Sequence, residues 1–209
     1  MAATSLRARK APQVAEGYED CVLDLRVVVR PRCRDGEPGD YLLEYGGAII
    51  SGPDRVEAIG TMSMYVVDLE AASDDGVSPF DVLDAIDSSL AHFCELLSSR
   101  TGAFRPKVSD FAGTDLARIL VLTQLQIEPR FRGHGLGLFA IRTACDGVGQ
   151  GCTLAALKAF PSQWEGRVDE GPAEFARDRA KLENYYRRAG FLPFLKDGLM
   201  LAPLPLEPG

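Results

Sequence analysis

The sequence is short of the residues that build metal sites. Its 209 residues include only two histidines, His92 and His134, and its five cysteines (Cys21, Cys33, Cys94, Cys145, Cys152) form no C-x-x-C pair. A zinc-type cluster cannot be assembled from that set at the usual spacing, so no metal is expected. Five thiols cannot all pair internally, and scattered reduced cysteines fit a cytoplasmic protein. Basic residues are in deficit as well. Lys and Arg number 23 against 30 Asp and Glu, a formal net charge of -7, which argues against nucleic acid as the main partner. No apolar run reaches membrane-spanning length, and the basic opening "MAATSLRARKAPQVAEG" lacks the apolar centre of a secretion signal. The expectation is a cytoplasmic protein whose partners include neither membrane nor nucleic acid.

What is present is a chain long enough to bury a core unaided by disulfides or metals. Hydrophobic residues at 46% and charged residues at 25% are ordinary for a soluble globular protein. With no internal repeat or domain boundary, residues 18–204 read as one mixed α/β domain, and 1–17 and 205–209 as loose tails. "CVLDLRVVVRP" (21–31), "DYLLEYGGAII" (40–50) and "RVEAIGTMSMYVVDLE" (55–70) read as three strands of an antiparallel meander. Ser78 and Pro79 then open a long helix on which Val82, Ile86, Leu90, Phe93 and Leu97 form one buried stripe. His92 lies beside that stripe as a surface residue. "RPKVSDFAGTD" reads as a loop.

Residues 116–129 form a strand apolar on both faces, which belongs at the centre of a sheet. A helix at 136–148 and a buried strand at 152–160 complete a right-handed crossover, so those two strands are parallel. A polar segment containing Trp164 and Glu165 leads to the helix "AEFARDRAKLENYYRRA", which Gly190 ends before a closing hairpin.

Between the central strand and its helix stand Gly133, Gly135 and Gly137. A helix N-terminus has unpartnered N–H groups and partial positive charge, and glycines let an anion approach that backbone closely. The alternative is a tight strand-to-helix turn that binds nothing. A Rossmann fingerprint would need a glycine where Leu138 stands, and the Gly-Lys-Ser/Thr of a P-loop is absent. The spelling that fits is R-x-x-G-x-G, from Arg132 to Gly137, preceded by Leu125-x-Ile127-x-Pro129. It resembles the acetyl-CoA-binding motif of the GCN5-related N-acetyltransferase (GNAT) superfamily. "NYYRRAGF" (184–191) is similar to that family's Y-x-x-x-G-F helix end, with Tyr186 at the tyrosine. The two elements, in the family's order, cover residues 116–195.

The resemblance implies a mostly antiparallel sheet flanked by helices, with a parallel, splayed strand pair at the acetyl-CoA site. It implies that backbone amides of Arg132, Gly133, His134, Gly135, Leu136 and Gly137 hold the pyrophosphate. Leu125 and Ile127 would offer main-chain groups to the pantetheine arm. Arg179 would pair with phosphates, alongside Arg130, Arg132 and Lys181. Tyr186 would protonate the leaving sulfur after a neutral amine attacks the thioester directly. The position at which some relatives carry a base holds Thr123, so Glu165 is the candidate base, and Trp164 beside it a wall of the acceptor pocket. Asp68 and Glu70 are further charged candidates there. The implied activity is acetyl transfer from acetyl-CoA to a primary amine of a small molecule or protein, and a homodimer is compatible with it. A non-catalytic acyl-CoA-binding or interaction domain is the alternative that Thr123 leaves open. Acylation of an aminoacyl-tRNA is a minor option disfavoured by the acidic balance.

Overall fold

A computed structural model describes residues 21–28, 36–51, 57–86, 88–164, 166, 171–195 and 197–206. The segment 1–17, expected as a tail, lies outside them. Three strands come first: β1 (Val22–Val28), β2 (Leu42–Ser51) and β3 (Glu57–Asp68). They pair antiparallel in sequence order, as the meander expectation requires. Then follow α1 (Leu69–Asp74), α2 (Pro79–Asp84), α3 (Ser88–Ala91) with a 3-10 turn at His92–Leu96, and α4 (Pro106–Ala112). The second half runs β4 (Arg118–Ile127), α5 (Leu136–Gly147), β5 (Leu154–Lys158), α6 (Pro172–Arg187), β6 (Leu192–Pro193) and β7 (Leu199–Pro203).

The result is a mixed α/β architecture around one seven-stranded sheet in the order β1-β2-β3-β4-β5-β7-β6. Among the described residues only the β4–β5 contact is parallel, and β4 is the central strand. Successive side chains of a strand point to opposite faces, so the alternation sorts the core into two layers. On one face Met62, Met64, Leu120, Leu122, Ala155, Leu157 and Met200 meet Leu136, Leu138 and Ile141 of α5, with Leu182, Tyr185 and Tyr186 of α6 packed alongside. On the other, Val67, Ile119, Val121, Leu154, Ala156 and Leu201 meet Leu69, Val82, Leu90, Phe93 and Val108 from α1 to α4.

Three expectations about the helices change. Leu69 and Glu70 leave the third strand for α1, because Asp68 caps a helix there through the N–H of Ala71 (3.1 Å). The long helix after Ser78 is broken at Ala85 and Ile86 and resumes at Ser88. Asp84, Ser88 and Ser89 are weak helix formers that favour caps. The stripe is nonetheless correct, for Val82, Leu90, Phe93 and Leu97 are all buried. The expected loop after Arg105 contains α4, opened by Pro106 at its first position and closed by Gly113 in the left-handed region (φ 72).

Candidate functional site

The central strand makes the first element of the site. β4 pairs with β3 through Ser63↔Gln124 on one side and Met64↔Leu122 on the other, which leaves Thr123 as an extra residue. Such a bulge bends and twists its strand. The Thr123 hydroxyl donates to the Ser63 carbonyl (3.1 Å) across that irregularity. Thr123 thus stabilises the bend, and its oxygen is already engaged.

Parallel pairing with β5 ends at the same place. Ile119–Leu122 face Leu154–Leu157, whereas the next β5 residue, Lys158, pairs only with Leu199 of β7. Residues 123–127 therefore extend past their parallel neighbour, and the two strands part at their carboxyl ends. The Glu128 N–H donates to the Ile59 carbonyl (3.0 Å). By antiparallel alternation, the main-chain groups of Ile127 and Leu125 then point away from β3, into the gap. The Ile127 carbonyl accepts from Arg132 Nε (2.9 Å), which agrees with that direction.

The turn is the second element. Gly133 (φ 88) and Gly135 (φ 80) occupy the left-handed region, which residues with side chains rarely adopt. Gly135 is the N-cap of α5 and supplies no side-chain cap. Phe139 N–H reaches back to the Gly135 carbonyl (3.0 Å). Among the described residues, no acceptor engages the N–H groups of Gly133, Gly135, Leu136 or Gly137. Four unengaged donors thus cluster at the start of α5, where the helix dipole adds partial positive charge. His134 turns its Nδ1 to the Phe131 carbonyl (3.2 Å) and is part of the turn.

Gly137 has a different role from its neighbours. Its backbone is helical, and a Cβ there would lie 2.5 Å from the Tyr185 hydroxyl and 3.5 Å from a methyl of Leu125. Tyr185, the neighbour of Tyr186, lays its hydroxyl across the first turn of α5. Burial raises its pKa, and the facing Leu138 N–H and Arg188 partly offset this. The sequence signal was only the adjacency of two tyrosines one helical turn before Gly190.

Tyr186 packs its ring on the same layer, edge-on to Tyr185 with centroids 5.6 Å apart. Burial, and secondarily Tyr185, push its pKa to about 12. The phenol therefore holds its proton throughout the neutral range. No group among the described residues hydrogen-bonds to its hydroxyl.

The basic candidates separate. Arg132 has no carboxylate partner among the described residues, while Arg130 bridges Glu57 (2.7 Å) and Glu128 (3.1 Å). Arg179 lies nearly two turns before Tyr186 on α6, against the end of β5. It pairs with Glu183 (3.7 Å), lies over the Phe175 ring (5.7 Å), and approaches Gly198 beside the end of β5. Lys181 is bound to Asp178 (2.9 Å).

Glu165, the candidate base, lies outside the described residues. Trp164 beside it donates its indole N–H to Asp178 (3.1 Å) and meets Phe175 edge-on, tying the segment after β5 to α6. Hydrogen bonds from Lys181 and then Trp164 hold the Asp178 pKa at about 2. Of the other acidic candidates, Asp68 caps α1 and binds Arg118 Nε (2.9 Å), and Glu70 is exposed. A separate surface depression is lined by Glu37, Pro38, Gly39, Ala85 and Ile86 and offers one ionisable group. Among the described residues, no cluster of metal-ligating side chains exists, and no helix is long and apolar enough to cross a membrane.

No family model and no curated protein matches the chain. Seven solved chains do. One is the crystal structure of a tyrosine-to-phenylalanine mutant of KacT, 16% identical, with the match covering 79% of this chain and 72% of that one at a TM-score of 0.38. So low a score describes partial overlap of two backbones and says nothing of chemistry.

Proposed function

We propose that this protein is an acetyl-CoA-dependent N-acetyltransferase of GNAT type. The observation that carries the reading is one juxtaposition. Unengaged amides of the glycine turn lie at the N-terminus of α5, and the main chain of Leu125 and Ile127, with the Ile127 carbonyl held by Arg132, runs beside them along the gap where β4 and β5 part. A long anionic cofactor with an amide-bearing arm matches both features at once. The turn, with Arg132 alongside, would bind the pyrophosphate, and the β4 edge would bind the arm as an added strand. The acyl group would then lie in the gap, beyond the strand carboxyl ends.

The remaining chemistry asks little of the protein. A neutral primary amine attacks the thioester carbonyl, and a backbone N–H of the Leu125–Ile127 segment stabilises the oxyanion, an effect typically worth roughly 3–4 kcal/mol per donor. Tyr186, protonated at neutral pH, donates to the departing sulfur. Thr123 cannot act as a base, and its hydroxyl is committed to Ser63. That observation favours the second reading, a domain that binds acyl-CoA without turnover.

The experiment that separates them is thiol release from acetyl-CoA in the presence of a panel of primary amines and lysine peptides. Turnover that falls at least ten-fold in Tyr186→Phe, with acetyl-CoA affinity retained, supports the enzyme. Tight binding without turnover for any acceptor supports the second reading.

A further inference from the structure

We propose that Lys158 is itself an acyl acceptor, its Nζ standing at the rim of the β4–β5 gap and bonded to the Nδ1 of His92. The inference rests on the acyl-CoA reading above. Lys158 is the last residue of β5 and the first beyond the parallel pairing with β4. Its neighbours Leu157 and Ala159 both enter the layer beneath α5 and α6. Alternation therefore sends Lys158 to the opposite face, where the 3-10 turn His92–Leu96 packs through Phe93 and Leu96. There Nζ lies 3.3 Å from His92 Nδ1.

An ammonium bonded to an imidazole nitrogen requires that nitrogen to present its lone pair. The surroundings agree. Partial desolvation of the largely exposed ring and then the Lys158 charge lower the His92 pKa, against an upward pull from Glu95. The pair is thus a primary amine with a neutral base in direct contact, beside the strand gap proposed to hold the thioester. The other described lysines lack both features. Lys107 donates to the Phe194 carbonyl (3.0 Å), and Lys181 is bound to Asp178.

The step balances without a further reagent. His92 Nδ1 takes one proton from the ammonium, and the Nζ lone pair attacks the thioester carbonyl. The C–S bond breaks with its electron pair on sulfur, which leaves as the thiol by taking the Tyr186 proton, and the proton held by His92 returns to Tyr186 through solvent. The proton still in excess on nitrogen passes to solvent, and an uncharged amide remains. Acylated Lys158 would carry no charge and would narrow the gap on the acceptor side.

The test is incubation of the full chain with acetyl-CoA, followed by intact mass and peptide mapping over its five lysines. One acetyl group concentrated on Lys158 is expected, absent in Lys158→Arg and formed at least ten-fold more slowly in His92→Gln. His92 is exposed, so that variant should fold, and circular dichroism checks it. Equal labelling of Lys158 in the urea-unfolded chain would mean simple chemical acetylation and would overturn the inference. So would acetyl-CoA binding, shown by calorimetry, with Lys158 labelled no more than Lys107; the cofactor reading would then stand alone. Absence of acetyl-CoA binding would remove both.

Discussion

Replacing Gly137 with alanine should destabilise the protein, although alanine is the better helix former by about 1 kcal/mol. The reason is the Tyr185 hydroxyl, 2.5 Å from where the new methyl would stand. Contact at that distance cannot persist, so Tyr185 must swing away. It then gives up the Leu138 N–H it faces, a loss of about 1 kcal/mol, and takes a strained rotamer costing a further ~1 kcal/mol. Net destabilisation is roughly 1 kcal/mol, or about 3 °C in Tm for a chain of this size. In a Tyr185→Phe background the offending oxygen is gone. There the same glycine-to-alanine change should be neutral or slightly stabilising, giving a coupling of about 1–2 kcal/mol in a double-mutant cycle read by thermal unfolding. Equal effects of Gly137→Ala in the two backgrounds would refute the account of why this glycine is there.

Other outcomes follow from the same contacts. Tyr186 has a folded-state pKa of about 12, above its ordinary value near 10, so its contribution is intact below pH 10 and lost as pH rises through 12. Urea unfolding should show Tyr186→Phe losing less stability than wild type across that window, by roughly 2–3 kcal/mol at most; parallel losses would contradict the desolvation of this phenol. Burial also pushes the Cys145 thiol to about 12 and the Cys152 thiol to about 11, so both should resist iodoacetamide at neutral pH until the chain unfolds. Rapid labelling of either in the native protein would be inconsistent with the core described here. Asp178→Ala should free the single tryptophan from its hydrogen bond and shift its emission to the red, while an unchanged spectrum would show that Asp178 does not hold Trp164 in place.

The second half of the chain was legible because its local and global signals agree. Residues 116–129 carry an apolar character that only a central strand can bury, and the glycines punctuate the start of α5 where the period changes. Arg132 reaches the Ile127 carbonyl and Gly137 lies against Leu125, so the turn and the strand end are neighbours in space. The first half was less legible, because short helices there are specified by caps and tertiary contacts rather than by periodicity. Only Val108 is fully buried in α4, so its start and stop residues, Pro106 and Gly113, were the usable signal. Nothing in the spelling around Thr123 announces a bulge, since a bulge is a property of two strands and their register. The packing of both Tyr185 and Tyr186 on the core has a similar origin. A helix places adjacent residues about 100° apart, and α6 lies so that both rings reach the sheet.

Isothermal titration of acetyl-CoA into the wild type and into Gly135→Glu tests the central claim most directly. Gly135 holds a φ of 80 at the N-cap, and a glutamate there would both strain the turn and set a negative charge among its donors. The account predicts saturable binding by the wild type that the folded variant loses. A folded wild type that does not bind acetyl-CoA, or a folded variant that binds it equally well, would contradict it, and the glycines would then serve only to turn the chain from β4 into α5.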